Sequence, residues 1–148
     1  MHSNNPTLKL DSFWPYQVVV LGDLISRHTL KLVKENTDIN LSQWRVLAAI
    51  ADKAGRTSSQ VVAITPMDKG IVSRAVASLL DGNYIHKESD PTDKRRASLY
   101  LTPKGRKLYE LISQKQTEVI ATFQSDNISD PDFNAHLLER ITTMLEKI

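Results

Sequence analysis

At 148 residues, with 41% hydrophobic and 24% charged side chains, the chain has the size and composition of one globular domain with a core of its own. It contains no cysteine, which excludes a disulfide framework, a thiol redox sensor and any zinc site built on thiolates. Net charge is only +2, yet Lys53 to Lys107 holds eleven basic against five acidic residues while the flanks hold eight against twelve, so a basic centre lies between acidic ends. That distribution is the footprint of a segment facing nucleic acid, with the rest facing water or a partner. No uninterrupted apolar run is long enough to span a bilayer, and the polar start MHSNNPTLKLDS lacks the charged-then-apolar order of a signal peptide, so the expected location is the cytoplasm.

The first predicted helix covers Phe13 to Asn36, opened by Asp11 or Ser12, with Pro15 tolerated in its first turn. Its middle, VVVLGDLIS, is apolar on more than one face, the pattern of a helix sandwiched between its own lobe and something else, such as a second subunit. Gly22 inside it costs about 1 kcal/mol relative to alanine, weak support for a close helix contact there. Trp14 and Tyr16 with Arg27 and His28 are the candidate lining of a pocket for an aromatic acid. The competing reading makes the rings packing residues and His28 an ordinary helix histidine.

Leu41 to Ala54 reads as the second helix, with Ser42 as N-cap, Trp44, Leu47, Ala48 and Ala51 on one stripe, and Gly55 closing it. Arg45 is carried to another face, where it binds a ligand carboxylate or makes a structural ion pair. A short helix, SSQVVAI from Ser58 to Ile64, has Ser58 or Ser59 as cap and possible phosphate donor.

From Thr65 the signals sharpen. Thr65 and Pro66 open a helix from Met67 to Asp81, with Asp68 at the capping-box position and Gly82-Asn83 as its stop. Val72, Ala75, Val76 and Leu79 form the buried stripe, which turns Met67, Gly70, Ser73, Arg74 and Ala77 outward with Lys69 on the flank. Small residues let this face approach another surface closely, and Arg74 can reach guanine or phosphate, as suits a helix in a major groove. An ordinary amphipathic helix has the same pattern.

Tyr84 to Glu88 and Ser98 to Leu101 are short β-prone runs, with Leu99 and Leu101 inward and Ser98 and Tyr100 outward. The loop between them holds Asp90-Pro91 and the run Lys94-Arg95-Arg96. By itself such a run is usually a solvated charge cluster. Directly after a groove-fitting helix it completes the order of a winged helix-turn-helix.

Thr102-Pro103 opens a long helix to about Gln124, with Leu108, Leu111, Ile112, Val119 and Phe123 among its apolar positions. Lys104, Arg106 and Lys107 crowd its first turn against the sign favoured at a helix N-terminus, which suggests phosphate nearby. After a polar break, Ser129 or Asp130 with Pro131 opens a last helix carrying Phe133, Leu137, Ile141, Met144, Leu145 and Ile148, a stripe too continuous to leave in water. No Gly-rich phosphate loop, HExxH or GxSxG is present, and the four histidines lack metal spacing, so neither an enzyme nor a metal site or other cofactor is expected.

The segment from about Leu41 to Leu108 resembles the DNA-binding lobe of the MarR family of bacterial transcriptional regulators, through WRVLAAI at 44–50, DKGIVSRAVASLL at 68–80 and DPTDKRRASLYLTPKG at 90–105. The last stretch matches the family's wing pattern at Asp93, Arg95, Leu101 and Thr102. The resemblance implies a mainly α fold with a small β-wing, the winged lobe at 37–107 and dimerisation helices at 11–36 and 108–148. It also implies that Asp93 holds the wing, that Arg95 enters the minor groove, flanked by Lys94 and Arg96, and that Lys69, Ser73 and Arg74 work in the major groove. The partners expected are a palindromic DNA operator, a second copy of the chain and a small aromatic acid or phenolic effector. Without cysteines the family's peroxide-sensing branch is out of reach, and repression is the favoured outcome. Activation on the same fold and a winged helix serving as a protein-interaction module are the alternatives.

Overall fold

Orphan N–H groups at helix starts decide where the elements of this chain begin. The computed structural model describes residues 7–93 and 96–121, with His136, Glu139 and Thr143. Its elements run α1 (Trp14–Asn36), α2 (Leu41–Asp52), α3 (Ser58–Ile64), α4 (Lys69–Asp81), β1 (Ile85–Ser89), β2 (Ala97–Leu101) and α5 (Pro103–Ala121). The expected mainly α fold with a two-stranded wing is therefore present. The end of the expected fifth helix at Gln124 and the apolar stripe of the last helix lie outside the described residues, although His136, Glu139 and Thr143 are helical. No helix among the described residues is long and apolar enough to cross a membrane.

Four helix starts fall on other residues than those expected, and at α1 the N-cap is Phe13, not Asp11 or Ser12. Asn40, not Ser42, caps α2: its side chain accepts from the Gln43 N–H while the Gln43 side chain accepts from the Asn40 N–H at 2.7 Å. Thr57, not Ser58 or Ser59, caps α3 through the same reciprocal pair with Gln60. Asp68 caps α4 by accepting from the Ile71 N–H at 2.8 Å, and Thr65 is left as the C-cap of α3, donating to the Val61 carbonyl. Each satisfies a donor that the helix cannot, worth about 1 kcal/mol. Because α4 starts at Lys69, Met67 precedes it and is buried rather than outward.

The expected stripe Val72, Ala75, Val76 and Leu79 is buried, joined by Leu47 and Ile50 of α2, Val61 of α3 and Ile85 and Leu99 of the hairpin. Trp44 is also core, its ring stacked on Tyr109 with centroids 5.8 Å apart. The strands pair antiparallel, Ile85 opposite Leu101 and Ser89 opposite Ala97, so Ile85, Leu99 and Leu101 share the inner face. A third segment adds to the sheet: Gly55 N–H donates to Leu99 O and Leu99 N–H to Arg56 O, both at 2.9 Å. Gly55 takes a left-handed φ of 82°, the turn that lets the chain leave α2 and run alongside β2.

The step from β2 into α5 is closed by Thr102. Its hydroxyl accepts from the Gly105 N–H at 3.1 Å and donates toward the Asn83 and Tyr84 carbonyls. Gly105 is required there, since a Cβ would come within 1.9 Å of the Tyr84 carbonyl oxygen.

α1 differs from the rest. Phe13 provides no side-chain cap, and only Leu32 and Val33, near the C-terminal end, are buried. The sandwich expected for its middle is not seen among the described residues: Val18 to Leu21, Leu24 and Ile25 are exposed, and a Cβ on Gly22 would meet open space. The chain divides into two units, residues 1–110 and 111–148.

Candidate nucleic-acid interface

A helix can enter a groove only if its outer face is narrow and its ends are fixed. On α4 the residues Lys69, Gly70, Ser73, Arg74 and Ala77 are all exposed, opposite the buried stripe, as the sequence period requires. Lys69 occupies the first helical position. Arg74 lies back toward that same end: a Cβ built on Gly70 would stand 3.6 Å from Arg74 Nη1 and 3.3 Å from Asp68 Oδ1. The missing side chain at position 70 thus leaves room for a guanidinium beside the helix N-terminus, the end from which helix-turn-helix proteins read base edges.

The hairpin carries the second basic element. Of the three tip residues named from the sequence, Lys94 and Arg95 lie outside the described residues. Arg96 is exposed, and its backbone closes the loop on both sides: its N–H donates to Asp93 O and its carbonyl accepts from Asp90 N–H, each at 2.9 Å. Asp93 thus contributes a backbone carbonyl to the wing turn. A carboxylate not singled out from the sequence works beside it. Asp90 Oδ1 accepts from the Thr92 N–H at 2.8 Å and the Thr92 hydroxyl at 2.6 Å, and these bonds, the hydroxyl's first, hold its carboxyl below the ordinary aspartate range. The cue was readable as the Asp90-x-Thr92 spacing of an Asx turn.

Two other basic residues make contacts within the lobe. Arg56 pairs with Asp52 at 2.7 Å and donates to the Ala49 carbonyl, tying the third sheet segment to the end of α2. Lys104, expected near phosphate, donates to the Gly82 carbonyl at 2.8 Å and is exposed. Arg106 and Lys107 remain exposed.

The candidate pocket residues are only partly gathered. Fourteen positions separate Trp14 from His28, about 21 Å along a helix, so α1 cannot by itself bring the exposed Trp14 and Tyr16 to Arg27 and His28. Arg27 is paired with Asp23, four residues back. Arg45 does reach α1, but its partner is the Ser26 hydroxyl at 3.0 Å rather than a carboxylate.

Capped α3 and α4 with a basic outer face, followed by a hairpin with a basic tip, define a winged helix-turn-helix. Residues 37–96 match the model of the MarR family. The transcriptional regulator HosA of Escherichia coli O111:H- is 31% identical over 88 residues, covering 60% of this chain and 65% of its own length. A MarR/EmrR family transcriptional regulator from Acinetobacter sp. ADP1 has the same fold, with a TM-score of 0.81 at 21% identity over 95% of this chain and all of the other. So does Staphylococcus aureus MarR, solved with salicylate and kanamycin, with a TM-score of 0.72 at 23% identity over 93% of both chains. The winged lobe is thus similar to the MarR family over residues 37–96, and the fold is that of MarR-type regulators. The relatives the chain matches are transcriptional regulators.

Proposed function

We propose that the chain is a DNA-binding transcriptional regulator that places α4 in the major groove and its wing in the adjacent minor groove. The observation that carries this reading is the exposed Lys69, Gly70, Ser73, Arg74 and Ala77 face, opposite a buried stripe and followed by a basic hairpin. Lys69, Ser73 and Arg74 read or brace the major groove, where an arginine suits guanine O6 and N7. Lys94, Arg95 and Arg96 serve the minor groove, where basic side chains sense its width. The match of residues 37–96 to the MarR family model and the likeness to the regulator HosA support this assignment.

The chain acts as a homodimeric repressor on a palindromic operator, its two α4 helices about one turn, or roughly 34 Å, apart. The uncovered apolar residues of α1 favour a second copy. Release by a small aromatic acid or phenol is the expected control, through Trp14, Tyr16, Arg27, His28 and Arg45. The salicylate bound to the Staphylococcus aureus protein favours that ligand class.

The test is selection of duplex DNA by the full chain, followed by titration of the selected site. Arg74→Ala should relax preference at one base position, and Arg95→Ala should weaken binding strongly. Unchanged affinity and preference in both variants would remove the assignment of these contacts. A monomer by analytical ultracentrifugation at micromolar concentration would remove the dimer, and indifference to aromatic carboxylates would remove the effector.

A further inference from the structure

The C-terminal end of α4 exposes carbonyls that no helical N–H can reach, and one of them has an unusual partner. Lys104, in the first turn of α5, places Nζ 2.8 Å from the Gly82 carbonyl and 4.2 Å from the centroid of the Tyr84 ring. Gly82 is the C-cap of α4, so the ammonium stands where a helix favours positive charge, and the same charge lies over an aromatic face. The ring is held against Gly82, where any Cβ would come within 2.9 Å of it.

Around this contact the backbone is closed in several ways. Tyr84 N–H donates to Leu79 O at 2.9 Å, and Tyr84 O accepts from Thr102 N–H at 3.0 Å, with the Gly105 backbone pressed against it. Asn83 takes a positive φ of 58° to turn the chain between them.

We propose that Lys104 is a positioning residue for DNA reading and not a phosphate contact. With Tyr84 it fixes the end of α4 against the start of α5, and so sets the angle at which Lys69, Ser73 and Arg74 meet the groove. The inference rests on the DNA-binding reading above and adds a residue that makes its contribution through α4.

The experiment compares the full chain with Lys104→Met, Lys104→Arg and Tyr84→Leu, titrated against the selected duplex and a random duplex over a salt series. Lys104→Met should reduce the ratio of specific to random affinity by roughly two- to fivefold, the factor equivalent to an exposed cation–π contact, with the salt slope of binding unchanged. Tyr84→Leu, which alters no charge, should lower the ratio similarly, and Lys104→Arg should restore it. A lost phosphate contact instead lowers the slope by about 0.9, and that result for Lys104→Met, or an unchanged ratio, would overturn the proposal while leaving DNA binding intact. A parent chain that binds neither duplex would overturn both readings. Thermal melting of each variant separates a re-aimed helix from an unfolded one.

Discussion

α1 and the segment from α2 to the start of α5 are built on different terms. In the latter, Asn40, Thr57, Asp68 and Thr102 each close a helix start, and Asp90 closes the wing turn. In α1 the start lacks a side-chain cap, and the apolar residues from Val18 to Ile25 face outward. The segment from α2 to the start of α5 is explained by its own hydrogen bonds and core. α1 carries more apolar surface than a solvated helix needs, and its sequence makes sense only if something outside the lobe covers it.

Paired leucines test the contrast most strongly. Leu79→Ala removes a fully buried side chain and should cost about 2 to 5 kcal/mol in denaturant unfolding. Leu24→Ala, at an exposed position, should stay within about 0.5 kcal/mol of the parent at dilutions where the chain is monomeric. If α1 is covered by a second copy, the same change should weaken sedimentation as a dimer. Equal losses at both positions would break the distinction.

Paired glycines come next. Gly105→Ala drives a Cβ to within 1.9 Å of the Tyr84 carbonyl oxygen and should destabilise by about 3 kcal/mol, the upper end of ordinary overpacking. Gly22→Ala enters open space and should stabilise the monomer by up to about 1 kcal/mol through helix propensity. Melting temperatures moving in opposite directions would bear this out. A fall at Gly22 that appears only at concentrations where dimers form would show a close contact across α1.

Caps give a smaller effect. Thr57→Ala should cost about 1 kcal/mol, while Phe13→Asp should add a few tenths to about 1 kcal/mol at the uncapped start of α1, whose N-cap residue is already extended. Helicity and melting temperature read both.

These pairs also explain what the sequence could disclose. The buried face of α4, the hairpin and the Thr102-Pro103 start follow from period and local turn chemistry, which act over a few residues. The caps of α2, α3 and α4 lie one to three positions from those expected because capping-type residues cluster near each start: Thr65 and Asp68 at α4, Asn40 and Ser42 at α2, and Thr57, Ser58 and Ser59 at α3. Gln43 and Gln60, three residues after Asn40 and Thr57, were the signals that decide between them. The contact of Lys104 is illegible in the sequence for a different reason. Its partner, Gly82, is 22 residues away, and no periodicity reports a contact made by packing one helix start on another helix end.

The smallest effect asks whether the solvent-exposed wing belongs with the locally closed elements. The Thr92 hydroxyl is the main cause of the lowered Asp90 pKa, followed by the Thr92 N–H. A group whose folded pKa is depressed contributes stability above its unfolded value, near 3.8, and loses it as pH falls through the folded value. Thr92→Val removes the hydroxyl and keeps the N–H, so carboxyl NMR should show Asp90 titrating closer to 3.8 but still below it. Above that range the parent and Thr92→Val should show the same pH dependence of melting, because Asp90 is ionised in both folded and unfolded chains. An Asp90 that titrates at or above the ordinary value in the parent would mean that its carboxylate does not close the wing. The turn would then rest on the Asp93 and Arg96 backbone bonds, and its order would resemble that of α1's start more than that of the capped helices.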